Sequence, residues 1–284
     1  MNSEILDSRF VASPLEVTEF RLRERGYSQQ TVKAYIGQLK SFFSHISPRA
    51  PEEVLEEDLR EYLDHLNDNN KSRSTIDQAV NALRFIWKEG YGKTFPMEKV
   101  PRPEKKERLP VFLSLDEVRQ IAMASENLKH RLMIELAYSA GLRVSEVVNI
   151  RVCDLNLQTK NLYVRSVGKN PKGRTTIFSR NLEDELVRQI GTKEPDDFLF
   201  PSERGGQLTT RAFAKYFKAA LDASGINKQA TPHSLRHSFA ALLLQAGTKV
   251  RTVQNLLGHV RRESTTFYAK LGDSLSQSGI AHPS

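Results

Sequence analysis

A histidine and an arginine lie three residues apart near the start of a predicted helix in the last quarter of the sequence. Thr231 and Pro232 favour a helix start, because a threonine hydroxyl can cap free N–H groups and proline has no N–H to leave unpaired there. At this spacing His233 and Arg236 share one face of the helix. The dipole and the free amides of the same end favour an anion. The segment therefore predicts a phosphate site.

Other candidate groups stand at predicted turns and helix ends. Arg143 follows a predicted buried helix, where an unpaired guanidinium would be costly, so it needs a ligand or a structural ion pair with Glu146. His259 follows Gly258, a residue suited to a left-handed helix cap, and would project from a fixed turn. Tyr268 ends the same stretch. Each of these residues alone has an ordinary structural explanation, whereas their combination points to a site.

The predicted hairpin tip 168–173 carries Lys169 and Lys172 among turn-forming residues. Exposed hairpin lysines usually serve only solubility, so they gain meaning from the rest of the set. The candidate site residues are Arg143, Lys169, His233, Arg236, His259 and Tyr268. They form a cationic cluster with one phenol, and they include no carboxylate pair or cysteine set that would hold a metal. We therefore expect no metal and no other cofactor.

Composition narrows the class of protein. A chain of 284 residues and 32.3 kDa suggests two domains. The net charge of +8 and the pI near 9.5 favour a polyanion such as nucleic acid, although a generically basic protein has the same charge. The single Cys153 excludes an intramolecular disulfide framework and suits a reducing compartment. With no apolar run near the roughly 20 residues of a membrane span and no signal-like start, we expect a cytoplasmic protein without membrane contact.

The first hundred residues predict four helices. The first covers Glu16 to Gly26, and Ser28 caps the second. The third follows Pro51 with Leu55 on its inward side, and the fourth covers about Ser74 to Glu89. Aromatic residues recur at helical spacing and are interpreted as core. These helices predict a domain over residues 12–96, followed by a proline-rich linker over 97–111.

Residues 112–284 predict a second domain that mixes helices with a few strands. Ser114 and Glu117 form a capping-box pattern, a buried helix covers about 128–140, and Ser145 is expected to cap the next helix. Three short strands follow, at Leu155–Leu157, Asn161–Val167 and Arg174–Phe178. Helices resume near Leu182. The fold class predicted for the chain is mainly α with a small antiparallel β-sheet, that is, α+β.

Four segments resemble the tyrosine recombinases, the integrase family that includes Xer-type, phage and transposon recombinases. They are Gly141–Glu146, Gly168–Lys169, His233–Ala240 and Leu256–His259, with Tyr268 nine residues after the last of these. The segment Gly26–Tyr35 is similar to the family's amino-terminal core-binding domain. The resemblance implies a helical, SAM-like core-binding domain followed by a tyrosine-recombinase catalytic domain. One departure is Asn170-Pro171 after Lys169, where the family has glycine, so Lys172 is a second candidate for the lysine role.

The resemblance implies a role for each site residue. Tyr268 would attack the scissile phosphate and form a 3′-phosphotyrosyl link. A phenol of pKa about 10 is a poor nucleophile at neutral pH, so it needs a cationic surround. Arg143 and Arg236 would bind the non-bridging oxygens. His259 would donate to the same oxygens, and His233 would act as acid/base or orient the phosphate. Lys169 would protonate the leaving 5′ oxygen.

The resemblance also implies the function and the partners. We expect a site-specific recombinase that resolves chromosome, plasmid or transposon-cointegrate dimers. The alternatives are a phage or mobile-element integrase, a type IB topoisomerase, or a DNA-binding protein without catalysis. The expected partners are double-stranded DNA carrying a specific site, three further copies of the chain in a homo-tetramer, and accessory DNA-binding proteins or a DNA translocase. In the tetramer, Ala269–Ser284 would pack on a neighbouring copy.

Overall fold

The computed structural model describes residues 13–47, 53–96, 110–165 and 173–258. The chain divides into two compact units, Met1–Arg108 and Leu109–Ser284. Most of the predicted linker 97–111 and all of the predicted hairpin tip except Gly173 lie outside the described residues. In none of the described ranges does a helix have the length and apolar character needed to cross a membrane.

The first unit is helical, as predicted. Its helices are α1 (Pro14–Glu24), α2 (Gln29–Ile46), α3 (Glu56–Asp68) and α4 (Arg73–Glu89). Ser13, Ser28 and Ser72 cap α1, α2 and α4 by accepting hydrogen bonds from N–H groups of the first turns. The prediction that Leu55 points inward was wrong: it precedes α3 as the N-cap residue and is 59% exposed.

Aromatic residues form the centre of this unit's core. The Phe42 ring meets the rings of Tyr62 and Trp87 edge-on, with centroids 5.1 and 6.1 Å apart. All three side chains are buried, with leucine and isoleucine side chains of α2, α3 and α4 around them. Edge-to-face contacts add to the burial of apolar area, so these rings stabilise the helical unit. Their interpretation as core is confirmed.

The second unit combines helices with one small sheet. Its elements are α5 (Leu115–Met123), α6 (Leu128–Ser139), α7 (Val144–Val147), β1 (Leu155–Asn156), β2 (Asn161–Val164), β3 (Arg174–Ile177), α8 (Glu183–Ile190), α9 (Thr210–Ala223), α10 (Pro232–Gln245) and α11 (Val250–Leu257). The strands form an antiparallel sheet in the order β1-β2-β3, with Tyr163 opposite Thr175. The predicted fold class is confirmed.

Helix α6 is the centre of the second core. Leu132, Met133, Ile134 and Leu136 are fully buried, and α6 packs against α5, α8, α9 and α10. Apolar side chains that face several directions are typical of a helix surrounded by protein. The Thr176 hydroxyl of β3 donates to the carbonyl of Ala140 at 3.1 Å, which ties the sheet to the end of α6. The elements that carry the candidate site therefore rest on a common core.

Two predicted helix caps differ from the structure. Arg143, not Ser145, is the N-cap residue of α7, and the Glu146 carboxylate accepts the Arg143 N–H at 2.8 Å. The N-cap position of α10 is Thr231, as predicted, but its hydroxyl makes no capping bond. Instead, the Ser234 hydroxyl accepts the Thr231 N–H at 3.0 Å. In both cases the side chain at the third helical position turns back to the N-cap N–H.

Candidate active site

Arg143 leaves the buried helix α6 through a fixed turn. Gly141 has a left-handed φ of 61°, and the N–H groups of Gly141 and Leu142 donate to carbonyls of the last turn of α6 at 3.2 and 3.0 Å. These two bonds form a Schellman cap. A Cβ at position 141 would lie 2.4 Å from the ring of Phe239, so the position requires glycine for its space as well as for its φ. The turn therefore fixes the backbone position of Arg143.

Three arginines surround the carboxylate of Glu146. Arg174 holds it with a bidentate pair, Nη1 to Oε1 at 2.7 Å and Nη2 to Oε2 at 2.8 Å. Arg143 Nη1 donates to Oε1 at 2.6 Å, and Arg236 Nη1 lies 3.6 Å from Oε2. Burial alone would raise the pKa of the Glu146 carboxyl, but the hydrogen bonds and charges of the arginines outweigh it and lower that pKa to about 2. A carboxylate that stays ionised thus lies among three guanidinium groups.

The same three arginines donate hydrogen bonds to carbonyls at the end of α11. Arg174 Nε donates to the carbonyl of Leu256 at 2.6 Å, Arg236 Nη2 to that of Leu257 at 2.6 Å, and Arg143 Nη2 to that of Gly258 at 3.3 Å. The last carbonyls of a helix lack partners within the helix and carry its negative dipole end, so cations stabilise them. Gly258 ends the helix in the left-handed conformation, as predicted, with φ 63° and ψ 48°. His259 follows it directly.

Arg236 is the most deeply placed cation of the site. Its side chain is 6% exposed, and its Nη1 donates to the carbonyl of Gly141 at 2.7 Å. Together with its bond to Leu257, this contact joins the end of α6 to the end of α11. A buried charge is tolerated only where hydrogen bonds replace its hydration. Arg236 is therefore fixed in position before any substrate arrives.

His233 lies one turn earlier on α10 and faces the same cations. The pKa of its imidazole lies below the ordinary value, because protein atoms withdraw part of the ring from water and because Arg236 and Arg143 disfavour its cationic form. The pKa of His237 is lowered as well, by burial and by the neighbouring His233 and Arg236. At neutral pH His233 is therefore mainly neutral and can accept a proton.

An open groove of about 590 Å³ runs beside these residues. Basic side chains from three elements line it: Arg143 from the start of α7, Arg211 and Lys218 from α9, and His233 from α10. Among the described residues that line it, none is acidic. The groove is otherwise lined largely by apolar surface, and its basic side chains are suited to the phosphates of a nucleic acid strand.

A second cavity, of about 370 Å³, contains none of the predicted site residues. One of its lining residues is Glu135 of α6. Burial raises the pKa of the Glu135 carboxyl to about 7, with a further contribution from the negative charge of Glu185, while Arg131 and Arg119 oppose the shift. Arg143 and His233 line the first groove, so we place the chemistry there.

The structure brings together Arg143, His233 and Arg236, three of the six residues that the sequence predicts. The other three, Lys169, His259 and Tyr268, lie outside the described residues, as does the alternative Lys172. Arg174 was missed by the sequence reasoning. Its only signal in the sequence is an arginine at the first position of a strand that follows a hairpin tip, and its partners come from distant segments.

Comparisons with known proteins identify the family of the chain. Residues 111–274 match the model of the Phage integrase family, and residues 15–96 match that of the Phage integrase, N-terminal SAM-like domain. The integrase/recombinase y4qK of Sinorhizobium fredii is 36% identical over 253 residues, which cover 88% of this chain and 82% of that protein. The tyrosine recombinase XerD of Listeria monocytogenes is 32% identical over 270 residues, which cover 88% of this chain and 90% of XerD.

A solved structure shows the same fold. The crystal structure of a lambda integrase tetramer bound to a Holliday junction aligns with a TM-score of 0.74 and 21% identity, over 90% of this chain and 76% of that one. The resemblance seen in the sequence is thereby confirmed. This chain belongs to the phage integrase family of tyrosine recombinases and is a site-specific DNA recombinase.

Proposed function

We propose that this recombinase cuts DNA through a 3′-phosphotyrosyl intermediate on Tyr268. One observation carries the proposal: Arg143 and Arg236 donate to consecutive carbonyls at the end of α11, and the chain runs on from there to Tyr268. Two guanidinium groups fixed beside each other match the non-bridging oxygens of one phosphodiester. Because they are oriented beforehand, they stabilise the charge that grows in the transition state without reorganising.

Arg143 has donors left for the phosphate. A guanidinium carries five N–H groups, and within the described ranges of the chain Arg143 uses two of them, one on Glu146 and one on Gly258. Its side chain is 38% exposed and lines the groove. The groove therefore gives DNA access to the cation that is best placed to receive it.

A histidine and a lysine carry out the proton transfers of the proposed reaction. As the phenol oxygen of Tyr268 bonds to phosphorus and the bond from phosphorus to the 5′ oxygen breaks, the neutral His233 accepts the phenol proton. Lys169, or Lys172 in its place, protonates the leaving 5′ oxygen, and His259 donates to a non-bridging oxygen. A 5′-hydroxyl of a partner strand then reverses these steps. Because the phosphotyrosyl bond conserves the energy of the phosphodiester, the reaction consumes no ATP.

We further propose that the biological role is the resolution of chromosome, plasmid or transposon-cointegrate dimers by a homo-tetramer on two DNA sites. Similarity to XerD over 90% of its length supports a recombinase of that kind. The lambda integrase structure, described as a tetramer on a Holliday junction, supports the same assembly for this fold. Accessory DNA-binding proteins or a DNA translocase belong to this proposal as partners.

The test is the substitution Tyr268→Phe. We expect the variant to bind DNA as the wild type does and to form no covalent adduct, because phenylalanine keeps the ring and lacks the nucleophilic oxygen. The substrate is a nicked suicide duplex whose site is first selected from randomised DNA by the wild-type protein. Adduct is measured as a protein–DNA species that survives denaturation.

Tyr163→Phe is the matched control, since Tyr163 is a 48% exposed tyrosine in the same unit. This control should form the adduct at the wild-type rate. An adduct that persists in Tyr268→Phe and disappears in Tyr163→Phe would show that Tyr268 is not the nucleophile.

A further inference from the structure

Arg174 directs its whole guanidinium group into the candidate site. It is the first residue of β3, and its side chain is 14% exposed. Its Nε donates to the carbonyl of Leu256, and its Nη1 and Nη2 donate to the two oxygens of Glu146. Each of the three nitrogens thus has its own acceptor within 2.8 Å. Such a complete set of bonds marks a group fixed by the fold.

The stem of Arg174 also lies against the turn that ends α11. A Cβ placed on Gly258 would come within 2.8 Å of Arg174 Cδ. The side chain of Arg174 therefore passes under the residue that immediately precedes His259. Displacement of this side chain would release both the Leu256 carbonyl and the packing beneath Gly258, and the chain would leave α11 along a different path.

The charge of Arg174 matters for the other two arginines. Glu146 is buried and ionised, and a carboxylate competes with a phosphate for the same N–H donors. With Arg174 in place, two of the hydrogen bonds of Glu146 go to Arg174, and Arg236 stays 3.6 Å from its nearer oxygen. Without Arg174, the cations left beside the carboxylate among the described residues would be Arg143 and Arg236, and it would draw both toward itself.

We propose that Arg174 is a positioning residue for strand cleavage. It holds Glu146 in a bidentate pair, which limits how strongly this carboxylate draws on Arg143 and Arg236, and it fixes the end of α11 ahead of His259. The inference rests on the roles proposed above for Arg143 and Arg236. All three guanidinium nitrogens of Arg174 donate to Leu256 or Glu146, so Arg174 acts through these neighbours.

The experiment compares Arg174→Gln, Arg174→Lys and the double variant Arg174→Gln/Glu146→Gln. Single-turnover cleavage of the suicide duplex is measured at saturating DNA, together with the DNA dissociation constant and the melting temperature. We expect Arg174→Gln to slow cleavage by roughly 10- to 100-fold, the usual effect of losing a group that orients the groups in contact with a reacting centre. Binding should change little, because Nε, Nη1 and Nη2 of Arg174 already donate to protein acceptors, whereas phosphate contacts dominate DNA affinity.

The other two variants separate the electrostatic from the structural effect. Arg174→Lys keeps the charge, but a single ammonium cannot reproduce the planar fork, so its rate should lie between those of Arg174→Gln and the wild type. In the double variant the competing carboxylate is neutral, and we expect at least about tenfold recovery over Arg174→Gln, since residues in one hydrogen-bond network are not additive. A merely structural role would produce no such recovery.

Arg131→Gln is the control, because Arg131 pairs with Glu185 at 2.8 Å and lines no part of the groove. It should cleave at the wild-type rate. Wild-type cleavage by Arg174→Gln would overturn the inference, and so would a double variant no faster than Arg174→Gln. If Arg143→Gln cleaves at the wild-type rate in the same assay, the proposed function fails as well; if only Arg143→Gln is inactive, the proposed function stands without this inference.

Discussion

The arginines of the site differ in how the fold holds them. Arg236 is almost fully buried and joins the ends of two helices through the carbonyls of Gly141 and Leu257. Arg143 is more exposed and shares its donors between Glu146, Gly258 and the groove. Burial fixes the direction of Arg236, whereas the exposure of Arg143 lets it meet a ligand. Substitutions at these two positions should therefore fail for different reasons.

Arg236→Lys tests this difference. Lysine retains the charge, but its donors are all on one nitrogen and cannot reproduce the planar fork with which Arg236 reaches both carbonyls. We expect cleavage at saturating DNA to fall by about 10²- to 10³-fold, the effect of losing one oriented donor in a transition state. Arg211→Lys, an exposed residue of the same groove, should cleave at nearly the wild-type rate. Equal rates for Arg236→Lys and the wild type would contradict the proposed role.

At the scale of elements, the sequence predicts most helices and strands because their apolar spacing and caps are local. Ser28, Ser114 and Gly258 mark helix ends where the sequence predicts them. The convergence of Arg143, His233 and Arg236 was implied by their resemblance to a family pattern. The role of Arg174 could not be predicted, since its acceptors Leu256 and Glu146 are 82 and 28 residues away in the chain. Tertiary packing alone brings them together.

Helix α6 carries the carboxyl group of Glu135, and the surroundings of this group disfavour its ionised form. Because burial raises the pKa of Glu135 to about 7, the folded state holds a proton that the unfolded state releases near pH 4.5. Stability is therefore lost as the pH rises from about 4.5 to about 7. We expect Glu135→Gln to be more stable than the wild type at pH 8, by up to about 3 kcal/mol from the size of the pKa shift.

The measurement is urea unfolding of both proteins at pH 5 and pH 8. At pH 5 the gain should be small, because Glu135 is then protonated in the folded state. Glu126→Gln, an exposed position just before α6, should show no such dependence on pH. A gain for Glu135→Gln that is equal at both pH values would show that the carboxyl is not buried as described.

At the scale of the whole molecule, the net charge and the lining of the groove favour binding to DNA. The net charge is +8, each unit has its own apolar core, and the catalytic unit contains a basic groove. Binding to DNA releases counterions for each phosphate that the protein neutralises. Affinity should therefore depend on salt more strongly than on the identity of any one side chain.

We expect the association constant for DNA to fall by at least about 10³-fold between 50 and 200 mM salt, as for a protein with six or more phosphate contacts. Fluorescence anisotropy with a labelled duplex measures this association constant at each salt concentration. Lys218→Gln should lower the slope of log K against log salt by about one, if that residue contacts a phosphate. A response that is flat across this range would remove the electrostatic binding model.

The end of α11 has a thermodynamic consequence. Its last carbonyls accept from Arg143 and Arg236, the two guanidinium groups proposed to bind the scissile phosphate, so on that proposal occupancy of one acceptor set alters the free energy of the other. Linkage makes this coupling reciprocal: phosphate binding must change how firmly Leu257 and Gly258 are held, and tension on the chain beyond Gly258 must change phosphate affinity by the same free energy. An assembled neighbour that pulled on that chain could thereby switch one active site on or off without touching it.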